Sequence, residues 1–418
     1  MLEAYPLHCP LLPLDPLPRL TADLPGCGGQ LRAFVEDFQV EEIPLYEPAG
    51  SGDHLYLWIE KIDVAADTLR RHVARSLGIP TLDVGMAGLK DRRAVTRQWV
   101  SVPRACEPRL ERVTTERIRV LDVRAHRNKL RTGHLAGNKF RIRLRGTVPA
   151  AAERVAAKLA LIEVTGMPNF YGAQRMGHGG STLAAGWAVL QGARRLARVR
   201  TPDDTVHSVD LGDRMLRRLA ASALQAEIFN RTVAERLRDG TLTTVLDGDV
   251  CRKCLTGGMF VTDDVAREQA RLAAGELELT APMWGTKTIR ATQRAGALEA
   301  AVLAAVDLDD SVFAAFGALA EGTRRPMVVR PQDVSVETEA DGITLVFSLA
   351  AGSFATVLVH ELSGPLLPGE RTLADDPSVD DLVASGDGDP LQALEPMDES
   401  SAAALLETGP MPGLVPCA

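Results

Sequence analysis

One carboxylate stands among cations in the run Ala87-Gly-Leu-Lys-Asp-Arg-Arg-Ala-Val-Thr-Arg-Gln98: Asp91, flanked by Lys90, Arg92, Arg93 and Arg97. Neighbouring positive charge favours the ionised form of a carboxylate. Such a group can attack a sugar or an electron-poor base, while the cations hold substrate phosphates. The same run also fits a turn whose aspartate makes ordinary surface ion pairs. No GxxxxGK[ST] run offers a phosphate-cradling loop, although Gly26, Gly28 and Gly29 cluster near the start and Gly257-Gly258 lies further on. Cys251-Arg-Lys-Cys254 is a lone CxxC with no second pair or histidine at zinc spacing, so no metal is expected.

The charge distribution supports a polyanionic substrate. The 418-residue chain carries a formal charge of -8. From Gly364 to Ala418, however, eleven acids face one base, Arg371, so this stretch alone carries -10 and the rest carries +2. The window Lys90 to Arg145 holds seventeen Lys/Arg and five Asp/Glu, or +12. Arginine outnumbers lysine 40 to 7, and its planar donor fork suits phosphate and stacking on bases. A basic stretch of this size is an electrostatic footprint for nucleic acid, or else a solvated charged surface.

The elements that must position these residues are legible in part. Asp63 to Gly78 reads as a helix, with Leu69, Val73 and Leu77 on one side and Gly78 as its stop. Leu55, Leu57 and Ile59 alternate as in a strand. In Asn138 to Arg145, Phe140, Ile142 and Leu144 point one way and Arg141, Arg143 and Arg145 the other, giving one core face and one basic face. Ala151 to Val164 and Leu211 to Arg238 read as helices. Two alternating runs between Val334 and Leu349 flank Asp341-Gly342, a hairpin signal, and Phe354 to Leu362 reads as a short helix. Strands and helices mix without a βαβ rhythm, so the expected class is α+β.

Composition excludes other classes. Hydrophobic residues make up 45% and charged residues 24%, as in a soluble globular protein. No run of about 18 apolar residues suggests a membrane span. Met1 to Leu20 lacks the basic start and continuous apolar stretch of a signal peptide. Six scattered cysteines fit a reduced, cytoplasmic setting. The Pro/Gly/Ser/Asp-rich tail is expected to be disordered.

GLKDRRAVTRQ resembles the catalytic motif of the TruD family of tRNA pseudouridine synthases. Phe34 to Glu42 (FVEDFQVEE), His126 to Phe140 (HRNKLRTGHLAGNKF), and the run from Val164 to Gly177 containing PNFYGAQRMG resemble further motifs of that family. So do Leu224 to Leu237, Val245 to Asp249, and Ala351 to Thr356 (AGSFAT), all in family order.

The resemblance implies a pseudouridine-synthase-like catalytic domain with a mixed sheet, over residues 20–165 and 328–363. A TruD-type inserted α+β domain would occupy 166–327, with 1–19 an N-terminal extension and 364–418 the acidic tail. It implies isomerisation of uridine at position 13 of tRNA to pseudouridine, with base flipping and no metal or organic cofactor. Asp91 takes the place of the essential aspartate, attacking C1′ or acting as a base at C2′.

Arg32 would pair with it, and Phe140 would stack on the target base, although the strand pattern sends Phe140 to the core. Asn138 would bond a base edge or ribose hydroxyl, and Phe38 and Phe354 would touch substrate. Lys90, Arg92, Arg93, Arg127, Lys129 and Arg131 are candidate RNA contacts, and His126 and His134 belong to RNA or the fold. The partner would be tRNA, with the protein a monomer. A synthase with another RNA target and a non-catalytic RNA-binding or RNA-folding protein on the same scaffold are the competing readings.

Overall fold

The structure is a computed structural model that describes residues 6–364. The expected tail therefore lies, but for Gly364, outside the described residues.

A mixed sheet carries the site. Its strands run in the order Gln332–Glu339, Gly342–Ala350, Leu135–Thr147, Phe38–Pro44, Val95–Pro103, His54–Ile62, Ile118–His126. Only Phe38–Pro44 against Val95–Pro103 is parallel along this path. The short strand Gly28–Leu31 pairs with the far end of Leu135–Thr147.

The alternation in the long strand works as its sequence predicts. Phe140, Ile142 and Leu144 are buried with Phe38, Val40, Leu345 and Phe347, under the helices Ala151–Thr165 and Ala355–Ser363. At the other end of the sheet, Leu55, Leu57, Ile59, Val100 and Val102 pack on the helix Ala66–Leu77. Leu69, Val73 and Leu77 make that helix's contact face, and Gly78 ends it in a left-handed conformation (φ 63°) that glycine adopts without steric penalty.

The opposite face of the long strand differs from its expected role. Arg141, Arg143 and Arg145 form ion pairs with Glu337, Glu339, Asp341 and Asp37, so the hairpin's acids neutralise that basic stripe. The hairpin itself turns one residue earlier than Asp341-Gly342 suggests. Glu339 pairs with Gly342, leaving Ala340 and Asp341 as the turn. Gly342 already lies in the strand beside Arg145, where an added Cβ would sit 1.9 Å from the Leu144 carbonyl oxygen. Close approach of two strands, rather than turn chemistry, requires that glycine.

After the helix Ala151–Thr165 the chain enters a second unit. Met167–Pro168 pairs with Val328–Val329, so the outgoing and returning segments form a two-stranded neck. The unit between is built on the helix Arg214–Arg238, packed against the helix Ser181–Leu190 and a small sheet containing Leu277–Met283 and Thr323–Pro326. The Asp213 side chain caps the long helix by accepting from the backbone N–H groups of Met215 and Leu216.

The N-terminal extension is part of this unit rather than an appendage. Leu7–His8 adds a parallel strand beside Ala197–Arg200, Cys9 and Leu11 are fully buried, and Arg231 donates to the Leu12 carbonyl. Its composition gave no such sign, because two buried residues between prolines have no periodicity to read. No helix among the described residues is long and apolar enough to cross a membrane.

Candidate active site

Asp91 sits in the loop between Gly85–Met86 and Val95–Pro103, at the polar end of the sheet's apolar face. Residues 38, 40 and 42 of one strand oppose 142, 140 and 138 of the next. Along this face Phe38 and Phe140 give way to Glu42 and Asn138, so the core runs directly into the site.

Three attachments, two of them buried, hold the loop. Lys90 places its ammonium 2.9 Å from the Glu42 carboxylate, both almost wholly buried. Lys61, with no exposed surface, donates to the carbonyl oxygens of Asp91 (2.6 Å), Val64 (2.7 Å) and Lys90 (3.4 Å). On the other side, the Ala87 carbonyl accepts from Gly133 N–H at 2.8 Å, tying the aspartate loop to the His126–His134 segment.

Arg32 approaches Asp91 from above the core. Its Nη2 lies 3.2 Å from Asp91 Oδ2, with side-chain exposures of 5% and 30%. Its guanidinium carbon is 4.0 Å from the centre of the Phe38 ring, a favourable cation–π distance. Arg32 has φ +58°, a left-handed conformation that costs a side-chain-bearing residue on the order of 1 kcal/mol. That local strain is offset by the stacked, paired position it secures for the guanidinium.

The remaining sequence-derived site residues divide by environment. Asn138 is half-buried, and its Oδ1 is buried with no hydrogen-bond partner among the described residues. A buried acceptor left unsatisfied is costly in a core and useful where a ligand donor arrives. Phe354, half-buried, leans on Tyr171 of the second unit with ring centres 5.6 Å apart.

Phe38 and Phe140 are core residues in this conformation. Phe38 is fully buried beneath Arg32, and Phe140, 5% exposed, lies between the edge of Phe38 (6.3 Å) and the face of Phe347 (5.3 Å). The alternation that placed Phe140 inward therefore describes its packing, and no ring face is open to stack on a base.

Lys90 is also corrected: its ammonium neutralises a buried carboxylate and does not reach the surface. Lys129 is half-buried and bonded to the Leu82 carbonyl, and burial lowers its pKa. Arg92 is exposed but near Asp63 (3.7 Å), and Arg93 is half-buried. Arg127 and Arg131 are exposed and form no ion pair among the described residues. The +12 window thus presents less free charge than its count implies, because acids outside it, such as Glu60 and Glu47, pair with Arg97 and Arg124.

Beside these arginines lies an aromatic cluster with both histidines. Tyr46 Oη is 2.6 Å from His134 Nδ1, and the Tyr46 ring stacks on His126 at 5.2 Å. Burial lowers both histidine pKa values from 6.5, assisted by Arg131 at His134 and by Arg127 at His126. The unfolded chain then binds protons that the fold excludes. Their contribution is complete above about pH 6.5 and is lost as pH falls below it. The thermal midpoint should fall between about pH 7 and about pH 5.5, less steeply in His134→Gln. Equal slopes in both proteins would rule out this linkage.

Comparison with known proteins bears on what this arrangement does. The model of the family described as TruD, tRNA pseudouridine synthase D, matches residues 17–197 and 193–362. The chain belongs to the tRNA pseudouridine synthase D family. Membership makes it an isomerase.

A curated tRNA pseudouridine synthase D of Anaeromyxobacter dehalogenans (strain 2CP-C) is 43% identical over 347 residues, covering 83% of this chain and 96% of that one. That of Thermus thermophilus is 38% identical over 346 residues, covering 82% and 91%. The solved structure of a TruD protein from Methanosarcina mazei superposes with a TM-score of 0.66 at 23% identity, covering 84% of this chain and 96% of that one, which supports the shared fold. Lys61 went unnoticed in the sequence because it sits in an alternating strand without a motif. Its one signal is its type, a lysine in a chain that otherwise uses arginine.

Proposed function

We propose that this chain converts uridine 13 of tRNA to pseudouridine, with Asp91 as the catalytic carboxylate and the target nucleotide flipped out of its stack. The observation that carries this reading is the Arg32–Asp91 pair, fixed on buried anchors beside the unsatisfied Asn138 oxygen. The reaction breaks the bond from C1′ to N1 and forms one from C1′ to C5. The base gains a proton at N1 and loses the one at C5, so neither oxidant nor reductant is needed. Asp91 attacks C1′ or takes a proton from C2′. Arg32 orients the carboxylate, and Asn138 bonds the ribose or a base edge.

The reactive atoms of a stacked nucleotide are shielded, so extrusion is required, at about a few kcal/mol. Residues 20–165 and 328–363 would form the catalytic domain and 166–327 the inserted one, with RNA along their junction. The paired neck at Met167–Pro168 and Val328–Val329 supports that division. The chemistry belongs in the cytoplasm, where tRNA is matured.

The test is pseudouridine mapping on tRNA transcripts treated with the purified protein. Modification at position 13 is expected, and an untouched uridine 13 overturns the assignment. Binding should also be salt-sensitive. Two phosphates neutralised by Arg127 and Arg131 would lower affinity about tenfold between about 50 and about 200 mM salt. A flat response would rule out phosphate contacts by these arginines.

A further inference from the structure

Most buried arginines of this protein have a carboxylate partner. Arg236 is bonded to Asp249 at 3.0 Å, and Arg324 is paired with Glu299. Two half-buried arginines at the junction of the units lack such a partner. Arg175, in the turn Ala173–Met176, and Arg325, on the strand Thr323–Pro326, have no carboxylate within ion-pair distance among the described residues.

Both guanidiniums flank one ring, that of Tyr171, at 5.8 Å for Arg175 and 4.2 Å for Arg325. Their neighbours are neutral. Arg325 donates to Asn169 Oδ1 (2.6 Å), to the Asn169 carbonyl and to the Gly352 carbonyl (2.9 Å), and Arg175 donates to Ser222 Oγ. Arg175 Nε is buried with no partner. Desolvation weakens the charged form of each, Tyr171 partly restores both, and Arg325 further weakens that of Arg175. Two like charges brought together out of water without an acid leave an electrostatic deficit that an anion would fill.

The place of this pair favours one anion. Arg325 holds the Gly352 carbonyl in the turn that follows Gly342–Ala350. In that strand Leu349 pairs with Asn138 and Ala350 with Gly137, and the Ala351 N–H bonds the Ala136 carbonyl at 3.0 Å. Phe354 then packs on Tyr171 itself. Asn138 is in turn opposite Glu42, the anchor of Lys90 and hence of the Asp91 loop. With adjacent strands about 4.8 Å apart, the arginine pair lies only a few strand spacings from Asp91. Both cations are half-buried, so an anion can reach them from the surface.

We propose that Arg175 and Arg325, with Asn169 and Tyr171, form a phosphodiester subsite that holds the RNA backbone at the junction of the two units while the nucleotide occupies the Asp91 site. This rests on the tRNA pseudouridine synthase reading and adds to it a residue pair in the second unit and its return segment. Guanidinium forks bind phosphate in a bidentate manner, which suits a fixed position rather than a diffuse field.

The test uses the full chain with Arg175→Gln, Arg325→Gln, the double variant and Arg175→Lys. Affinity for a tRNA transcript and its salt dependence are measured alongside thermal unfolding. The double variant should bind more weakly, with a slope of log affinity against log salt shallower by about one. Arg175→Gln, which loses the bond to Ser222 and the distant contact with the Tyr171 ring, should largely keep its melting temperature, and Arg175→Lys should recover part of the affinity. Wild-type affinity and slope in folded variants would overturn the proposal, as would a loss of melting temperature without a change in slope.

Inorganic phosphate is the second probe. Phosphate that stabilises the wild type but not the double variant, and competes with tRNA, supports the subsite. Stabilisation with no effect on tRNA binding assigns the site to a free anion and overturns the RNA role. Pseudouridine formation by the wild type separates the two failures. If it persists while the slope is unchanged, only the subsite falls. If the wild type forms none, the functional reading falls.

Discussion

Asp91→Asn should bind tRNA as tightly as the wild type yet release almost no tritium from C5-labelled uridine. The change is isosteric, and the amide oxygen can still accept from Arg32 Nη2, which approaches to 3.2 Å. The loop keeps its anchors, because Lys61 bonds the backbone carbonyl of residue 91 and Lys90 holds Glu42 through its own side chain. What disappears is the charge that would attack C1′ or accept the C2′ proton. A single group in such a role contributes up to about 10⁴-fold. The expected fall is on the order of 10³-fold, or about 4 kcal/mol of transition-state stabilisation. Asp63→Asn is the control. Asp63 is also surrounded by arginine, with Arg92 at 3.7 Å and Arg117 at 3.4 Å, so a general effect of removing negative charge would show there too. Wild-type tritium release from Asp91→Asn would remove Asp91 from the chemistry, whatever the fold.

The same loop shows what a sequence can and cannot disclose about a site. Asp91 stood out because its neighbours along the chain are cations, a local property. The helix Ala66–Leu77 and the long strand through Phe140 were legible for the same reason: one buried face writes a period into consecutive residues. The charge of the Lys90 to Arg145 window misled in detail, because its partners lie elsewhere. Glu42 buries Lys90, while Glu337 and Asp341 sit opposite Arg141 and Arg143 only through a hairpin almost 200 residues away. Whether a cation is free is decided by tertiary pairing and leaves no mark in its own segment. Phe140 carried two readings that sequence could not rank, and packing between Phe38 and Phe347 supplied the deciding term. The arginine pair at the domain junction was equally hidden, since Arg175 and Arg325 meet at Tyr171 from segments 150 residues apart.

Lysine usage carries information that only becomes readable afterwards. With 40 arginines and seven lysines, a lysine is the exception. Three of the seven, Lys61, Lys90 and Lys158, are buried. A compact ammonium with three rotatable donors can satisfy several converging oxygens where a planar guanidinium cannot. Two of the three, Lys61 and Lys158, therefore mark places where backbone carbonyls meet, and one of those places is beneath Asp91.

Lys61→Met follows from this and tests whether the loop must be held. Methionine keeps much of the length and removes the donor, so the carbonyls of Val64 and Asp91 lose bonds of 2.7 and 2.6 Å. Leaving buried acceptors unsatisfied costs about 1–3 kcal/mol each, partly offset because a desolvated cation is also removed. The melting temperature should therefore drop. Activity should drop further than that: a reacting group displaced by about 1 Å can lose on the order of 10²-fold in rate. Lys61 touches no substrate, so the loss should appear in kcat, with tRNA affinity unchanged. Lys158→Met separates positioning from stability. Lys158 is an equally buried ammonium, donating to Thr21 Oγ1 at 3.0 Å and to the Glu361 carbonyl at 2.7 Å, but it supports the helix Ala151–Thr165 rather than the loop. It should lower the melting temperature while leaving kcat per folded molecule intact. If both variants lose kcat alike, Lys61 matters only to the fold. If Lys61→Met retains wild-type kcat, Asp91 does not depend on this anchor for its aim.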